Sequence, residues 1–218
     1  GFLSEIFGKV YCADVINYST LYGGEFCRRI YEKHERNSVP CRLERLAFIE
    51  TDAMDLLFRD GFFDQCVSIN AFEHIPDPYA ALKEIVRTLK HGGLAFISLD
   101  PIWTCDTGSH FFHRVPEPWA HLVLREEEFR ARMTRSGAPA SEEAEFPCAM
   151  NRRRKHEYDS AFERIERTGV ASIVWRDSYS GFADTSHATH GNLGKAIGMG
   201  YSREELELRC LRWLVRKH

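Results

Sequence analysis

Three polar side chains, Asp14, Asp52 and Asn70, lie at the ends of apolar stretches that read as buried β-strands. The stretches cover residues 9–13, 46–49 and 65–70. In an open sheet of parallel strands, ligands bind outside the carboxyl ends of the strands, and these ends share one rim. We therefore expect the two carboxylates and the amide to line a common binding rim.

Asp14 has the chemistry to hold a nucleoside. A carboxylate offers two acceptor oxygens, which match the two vicinal hydroxyl donors of a ribose. An aspartate at this position is used for that purpose in nucleotide-binding α/β folds. The alternative is a loop aspartate that caps the following helix.

The elements that position these residues alternate between strand and helix. Helical spacing predicts helices over 20–36 and 80–89, and residues 94–99 form a fourth apolar strand. Strands that are apolar on both faces and separated by helices predict a parallel α/β sheet. Beyond Pro101 the pattern predicts helices at 126–136 and 155–168, strands at 171–175 and 208–215, and a loop or lid at 185–200.

Composition excludes several classes of protein. The formal net charge of −3 gives no bulk attraction to nucleic acid or to anionic lipid. The seven cysteines are scattered without a CxxC pair, which indicates a reducing compartment, and we expect a cytoplasmic protein. No apolar run approaches the ~20 residues that span a bilayer, so no membrane partner is expected.

A series of motifs identifies a family. The series reads TDA at 51–53, GFFDQCVS at 61–68, NAFEHIPDP at 70–78 and EIVRTLKHGG at 84–93. In order and spacing it resembles the class I S-adenosylmethionine-dependent methyltransferases of the methyltransferase-11 type, over residues 9–100. The resemblance implies a Rossmann-like α/β fold, a mostly parallel twisted sheet with flanking helices, and a C-terminal elaboration. It also implies S-adenosyl-L-methionine as the cofactor.

The resemblance assigns cofactor contacts position by position. The acidic residue after the first strand would bind the ribose, the two apolar residues after it would contact adenine, and the next strand's end would accept from the adenine amino group. The end of the third strand would line the methionine part and the methyl group. Asp14 is thus assigned to the ribose, and Val15 and Ile16 are assigned to the adenine ring. Asp52, with Ala53 beside it, is assigned to the adenine amino group, and Asn70 and Ala71 to the methionine part and the methyl group.

The family's first strand and Gly-rich loop find no counterpart after Gly1, which matches at most the last glycine of that loop. Because that strand is central in the family's sheet, we expect unpaired edges on the Asp14 and Asn70 strands. The chain opens without an initiator Met, and its first residues already show a helical pattern. This suggests a piece of a longer protein. We expect that either the natural protein is longer or this chain binds the cofactor poorly.

Methyl transfer requires a positioned nucleophile and, for a hydroxyl acceptor, a base. Histidine is the natural base near neutral pH, and the candidates are His74, His110 and His113. The alternative for His74 is a packed loop histidine. HxxH spacing at 110–113 and 187–190 suggests metal ligands, but no acidic residue falls at a diagnostic spacing, so no metal site is predicted.

The resulting expectation is methyl transfer to a small-molecule or glycan acceptor, at oxygen. Residues 1–100 would form the cofactor-binding core and residues 101–218 the acceptor side of the same domain. Trp119 would either stack on the acceptor or cover a sheet edge. The basic run at 151–155 is flanked by acids, which favours a solvated helix start over a nucleic-acid site. The alternatives are a degenerate, non-catalytic cofactor-binding domain and a nucleotide-dependent dehydrogenase.

Overall fold

The computed structural model describes residues 2–218, so the predicted contact of Gly1 lies outside the described residues. The chain divides into two compact units, residues 2–58 and Arg59–His218. This boundary differs from the functional division predicted at residue 100. The strand that ends at Leu99 shares a sheet with strands near the C-terminus, so residues on both sides of position 100 form one unit.

The first unit contains a two-stranded parallel sheet and one long helix. Its elements are α1 (Leu3–Ile6), β1 (Val10–Asp14), α2 (Phe26–Arg36) and β2 (Leu46–Glu50). Rings of Tyr18, Phe26 and Phe48 pack together, with Phe26 edge-on to Phe48 at 5.1 Å between centroids. Helix α2 begins later than predicted because Gly23 and Gly24 take positive φ values of 66° and 87°, which a regular helix excludes.

The second unit is larger and mixes strands with helices. Its elements are β3 (Phe63–Ile69), α3 (Pro78–Thr88), β4 (Leu89–Leu99), α4 (Ala120–Val123), α5 (Glu126–Arg135), α6 (Ala140–Glu145), α7 (Lys155–Arg167), β5 (Ala171–Ser180), α8 (Gly191–Gly198), α9 (Arg203–Glu207) and β6 (Leu208–Lys217). The strand order is β3-β4-β6-β5. Strands β3 and β4 are parallel, and β6 is antiparallel to both of its neighbours.

Local sequence explains where α3 begins and how β4 follows it along the chain. Asp77 caps the helix, since its carboxylate accepts the backbone N–H groups of Tyr79 and Ala80 at 3.0 and 3.1 Å. Pro78 occupies the first turn, where its missing N–H costs nothing. The pairing register shifts before Leu94. The backbone approaches Gly93 closely at this irregularity, where a Cβ would lie 2.8 Å from the Lys90 carbonyl oxygen, so the position requires glycine.

Aromatic packing joins the sheet to α7. The Phe162 ring stacks on Trp213 of β6 at 4.1 Å and an interplanar angle of 11°. Phe72, just after β3, also packs against Phe162, at 6.2 Å between ring centroids. All three side chains are almost completely buried, so this stack fixes the loop after β3 to the body of the unit.

The predicted α/β class is confirmed, and β1–β2 and β3–β4 are the parallel pairs. As expected, β1 and β3 each pair on one side only among the described residues. In residues 2–218 no helix has the length and apolar character that crossing a bilayer requires.

The prediction of a loop at residues 185–200 is wrong. Residues Thr185–Thr189 form a 3-10 turn, and α8 follows directly. Small residues suggested flexibility there, but His187 is buried and donates from Nδ1 to Asp106 at 2.7 Å. Asp106 also pairs with Arg209 at 2.5 Å and accepts the Ala183 N–H at 2.6 Å.

Removing the Asp106 charge should therefore destabilise the second unit. Asp106→Asn leaves the half-buried Arg209 guanidinium without its buried counter-ion, and we expect a loss of about 3 kcal/mol in the free energy of unfolding. Urea unfolding followed by circular dichroism measures it. The control Asp177→Asn breaks an exposed pair with Arg212 and should cost less than about 1 kcal/mol. Equal effects of the two substitutions would contradict the structural role of Asp106.

Candidate functional site

The first unit places two predicted carboxylates at the ends of neighbouring strands. In the parallel register Asp14 lies opposite Glu50. The Thr51 N–H then donates to the Asp14 carbonyl at 2.8 Å, which extends the pairing by one step. Asp52 follows immediately, so both carboxylates lie at the carboxyl ends of paired strands, as the sequence predicted.

The Asp14 carboxylate is held by local donors. One oxygen accepts the Ile16 N–H at 3.1 Å, and the other accepts the Tyr18 hydroxyl at 2.6 Å. Burial is the largest cause that raises the pKa of Tyr18 to about 12, and the hydrogen bond to Asp14 adds to it. Tyr18 therefore stays a donor at neutral pH. A ribose hydroxyl at Asp14 would have to share the carboxylate with Tyr18 or displace it, a feature that sequence reasoning missed.

Apolar surface lies beside these carboxylates. Val15 is 68% exposed and Ile16 is 46% exposed, which is unusual for aliphatic side chains at a strand end. Asp52 is exposed and Ala53 is half-buried. The Asp52 carboxylate accepts the Met54 N–H at 2.8 Å, which fixes the turn after β2. Two carboxylates and an open aliphatic surface are the groups that a ribose and an adenine ring require.

In the second unit the chain turns sharply after β3. The Asn70 N–H donates to the Ser98 carbonyl at 2.9 Å, and Asn70 adopts a positive φ of 51°. This left-handed conformation is one that asparagine tolerates better than most residues. The turn leaves Asn70 exposed and Ala71 half-buried, and it directs Glu73 into the interior.

One asparagine outside the family motifs holds this loop. The Asn151 amide donates to the carbonyls of Phe72 and Ile75, both at 2.8 Å. Its backbone N–H donates to the Glu73 carbonyl at 2.7 Å. Its side-chain oxygen accepts the Tyr158 hydroxyl at 2.8 Å. Asn151 thereby satisfies three backbone carbonyls of the loop, and no motif in the sequence signals this role.

Two of the three candidate histidines meet at this loop. The rings of His74 and His110 lie 4.9 Å apart, edge to face. The His74 Nδ1 is bound to the Ala149 carbonyl and so carries its proton there, which leaves Nε2 as the basic nitrogen. Burial, and next the nearby His74, lower the pKa of His110, so its imidazole is neutral near pH 7.

Glu73 is a further functional candidate that the sequence analysis did not select, although it belongs to the EH motif. Burial raises the pKa of Glu73 to about 7, and the nearby Asp100 carboxylate adds to the shift. The backbone amides of Glu73 and Asp100 lie near enough to lower the pKa, but neither carboxylate oxygen has a hydrogen-bond partner among residues 2–218.

The other histidines of this region lie elsewhere. His113 is exposed and faces Glu142, with 3.5 Å between Nε2 and the carboxylate, so it does not join His74 and His110. His121 is buried, and its Nε2–H donates to the Trp103 carbonyl at 2.7 Å. The role predicted for His113 as a base stays a prediction, at a distinct position.

Trp119 and the basic run at residues 151–155 both have structural roles. Trp119 is completely buried, which excludes stacking on an acceptor in this conformation. The basic run is neutralised by acids: the pairs are Arg152–Glu126, Arg153–Glu157, Arg154–Glu205 and Lys155–Asp159. The run therefore serves as a set of ion pairs and not as an open basic patch.

Comparison with known proteins decides the family. Residues 4–97 match the family model described as "Methyltransferase domain". This part of the chain therefore resembles a methyltransferase domain, and the likeness supports S-adenosylmethionine as the cofactor. The match covers every predicted cofactor residue among those described.

Relatives of the methyltransferase agree with this assignment. An uncharacterized methyltransferase of Mycobacterium sp. (strain JLS) is 38% identical over 63 residues, which are 29% of this chain and 25% of that protein. The chloroplastic 2-methyl-6-phytyl-1,4-hydroquinone methyltransferase of Arabidopsis thaliana is 36% identical over 87 residues, which are 40% of this chain and 24% of that protein. The chain thus matches about a quarter of the length of these curated relatives.

A solved structure supports the methyltransferase fold. The geranyl diphosphate C-methyltransferase of Streptomyces coelicolor A3(2), in complex with Mg²⁺, geranyl diphosphate and S-adenosyl-L-homocysteine, superimposes with a TM-score of 0.53. The alignment covers 99% of this chain and 65% of that chain at 15% identity. The likeness establishes the Rossmann-like fold class.

Substituting the residue that holds the loop after β3 tests its importance. Asn151→Ala removes the side-chain hydrogen bonds to Phe72, Ile75 and Tyr158 and leaves buried polar groups unpaired. We expect a decrease of about 2–3 kcal/mol in the free energy of unfolding. Asn37→Ala, which removes a single exposed bond at the end of α2, is the control and should cost about 1 kcal/mol or less. Chemical denaturation measures both, and an Asn151 effect no larger than the control's would contradict this role.

The buried His121 predicts a pH dependence of stability. Burial is the largest cause that lowers the pKa of His121 to about 4, whereas an exposed histidine titrates near 6.5. Between these values the unfolded chain binds more protons than the folded chain, so the free energy of unfolding falls as the pH falls. The expected loss from about pH 6.5 to about pH 4 approaches ~3 kcal/mol.

His121→Gln keeps a donor for the Trp103 carbonyl and cannot titrate. Urea unfolding of both proteins at about pH 7 and about pH 4.5 isolates the contribution of His121, because other titrating groups cancel in the difference. We expect the native protein to lose more stability than the variant on acidification. A parallel loss in the two proteins would disprove the assignment.

Proposed function

We propose that this chain binds S-adenosylmethionine and transfers its methyl group to a small-molecule acceptor, at oxygen. The observation that carries the proposal is the position of Asp14 and Asp52 at the carboxyl ends of the paired strands β1 and β2, within a segment that matches the methyltransferase family. The exposed Val15 and Ile16 support an adenine contact beside these carboxylates.

Two named relatives support a small-molecule acceptor. One is called a methyltransferase of 2-methyl-6-phytyl-1,4-hydroquinone and the other a C-methyltransferase of geranyl diphosphate. Both names denote small organic acceptors. The choice of oxygen rests on the histidines of this chain, since a hydroxyl acceptor must lose a proton and an imidazole near neutral pH accepts one.

In the proposed reaction an acceptor oxygen attacks the methyl carbon in line with the sulfonium. The C–O bond forms as the C–S bond breaks, and S-adenosylhomocysteine leaves as a neutral thioether. The hydroxyl proton passes to a histidine, for which the Nε2 of His74 and the neutral ring of His110 are the candidates. Asn70 and Ala71 are proposed to line the methyl group, as the family resemblance implies. Most of the rate enhancement then comes from holding the reacting atoms in line.

Calorimetric titration of S-adenosylhomocysteine into the full-length protein tests cofactor binding. Hydrogen bonds to a charged group contribute about 1.5–3 kcal/mol, so Asp14→Asn should weaken binding about 10- to 100-fold. Asp64→Asn is the control, because Asp64 is exposed, pairs with Lys90 and lies at the start of β3, whereas the predicted contact Asn70 follows the end of that strand. We expect the control to bind as the native protein does.

The same titration with NADH and NADPH tests the dehydrogenase alternative. Tight binding of a nicotinamide cofactor without binding of S-adenosylhomocysteine would overturn the proposal. Failure of the folded protein to bind either ligand would leave the degenerate, non-catalytic domain as the better account. Equal binding by the Asp14 and Asp64 variants would contradict the ribose contact at Asp14.

A further inference from the structure

The second unit contains a buried carboxylate whose oxygens lack partners. Glu73 is completely buried, and neither oxygen has a hydrogen-bond partner among residues 2–218. A buried carboxylate is normally hydrogen-bonded, paired with a cation or bound to a metal ion, because an unpaired one is costly. The Glu73 carboxylate therefore lacks the group that would satisfy it.

Two imidazoles converge on this carboxylate. One ligand atom from each of Glu73, His74 and His110 lies within 4.8 Å of the other two. Zinc–nitrogen and zinc–oxygen bonds are about 2.0–2.2 Å, so an ion would draw these atoms together by about 1 Å. His74 and His110 are exposed, whereas Glu73 is buried. The cluster is thus open to solvent on its histidine side and closed on its carboxylate side.

The surroundings of His74 match those of a metal ligand. Metal-bound histidines usually donate their second ring N–H to a carbonyl or carboxylate, which fixes the tautomer. The Nδ1 of His74 makes this bond to the Ala149 carbonyl. The Nε2 lone pair is then available for a cation. Asn151, two residues beyond Ala149, holds the loop on which Glu73 and His74 lie.

Electrostatics also favour a cation at this position. The carboxylate of Asp100 acts on both Glu73 and His110, so a second negative group lies near the cluster. A divalent ion would neutralise Glu73 and accept the lone pairs of both histidines. Neutral imidazoles packed together at the surface would explain the histidine pair, but they would leave the Glu73 carboxylate unsatisfied.

We propose that Glu73, His74 and His110 bind a divalent transition-metal ion. Two imidazoles and one carboxylate suit Zn²⁺, Fe²⁺ or Co²⁺ and do not suit Mg²⁺, which prefers oxygen ligands. Three protein ligands leave coordination positions open toward the exposed side. An acceptor hydroxyl or a water molecule could occupy them, and a bound hydroxyl would lose its proton to solvent more readily. With the ion bound, the ion would replace His74 and His110 in activating the hydroxyl, because their lone pairs would be engaged. This last step rests on the proposed function, whereas the binding of the ion does not.

Metal titration of the full-length, chelator-treated protein tests the site. The probe is Zn²⁺, measured by competition with a chromophoric chelator, and Co²⁺ is used to record the visible spectrum of the bound ion. We expect one high-affinity ion per chain. Mg²⁺ should not displace it, since nitrogen ligands select against that ion.

Three variants assign the ligands. Loss of even an outer-shell partner typically costs 10- to 100-fold in metal affinity, so Glu73→Gln, His74→Ala and His110→Ala should each weaken Zn²⁺ binding by about 100-fold or more. His91→Ala removes an exposed histidine of β4 outside the cluster and should leave the affinity unchanged. Circular dichroism establishes that each variant is folded, and Glu73→Gln preserves the size of the side chain.

The outcomes separate this site from the proposed function. Absence of a tight Zn²⁺ site, or unchanged affinity in the Glu73 and His110 variants, would overturn the metal proposal. Titration of S-adenosylhomocysteine with and without Zn²⁺ reports the cofactor site independently. Cofactor binding without metal binding leaves the methyltransferase proposal intact, and metal binding without cofactor binding supports this site alone.

Discussion

Strand β6 is the element on which the second unit depends. It pairs with β4 on one edge and with β5 on the other, both antiparallel. Its Trp213 provides the surface on which α7 packs, and Lys217 donates to the carbonyls of Arg87 and Leu89 at the end of α3. Without β6, β4 and β5 would have no common partner, and the helices that cover the sheet would lose their packing surface.

The candidate site inherits its geometry from this arrangement. The β3–β4 pairing ends at Asn70, where the chain leaves the sheet in a left-handed conformation. Asn151 then satisfies the carbonyls of the loop, and Ala149 orients the His74 ring. A residue far away in sequence therefore sets the position of side chains that the family motif supplies. The family motif supplies the reactive side chains, but the orientation of those side chains depends on residues in the C-terminal half of the chain.

Much of the fold was predictable because its signals are local. Apolar runs marked all six strands that residues 2–218 form. The start of α2 was missed because the Gly23–Gly24 pair interrupts a helical pattern that hydrophobic spacing alone continues. The segment 185–200 was missed because its order depends on the long-range pairing of His187 with Asp106.

The candidate site was predictable to a smaller extent. Strand ends located Asp14, Asp52 and Asn70, since chain topology determines those positions. The proximity of His74 and His110 required a structure, because they belong to different loops, and the burial of Glu73 could not be read from its motif. Tyr18 and Asn151 gave no signal, since a hydroxyl and an amide acquire their roles only through the partners that the fold supplies.

The late position of β6 has a consequence for synthesis of the protein. Pairs such as Leu94 with Arg216 join residues that are far apart in the sequence, and contacts between distant residues slow folding. On the ribosome, β3, β4 and α3 emerge long before their sheet can be completed. Until β6 arrives, β4 presents an unpaired, strongly apolar edge, and such edges bind other strands. We therefore expect nascent chains of this protein to be most prone to aggregation during the interval between synthesis of β4 and synthesis of β6.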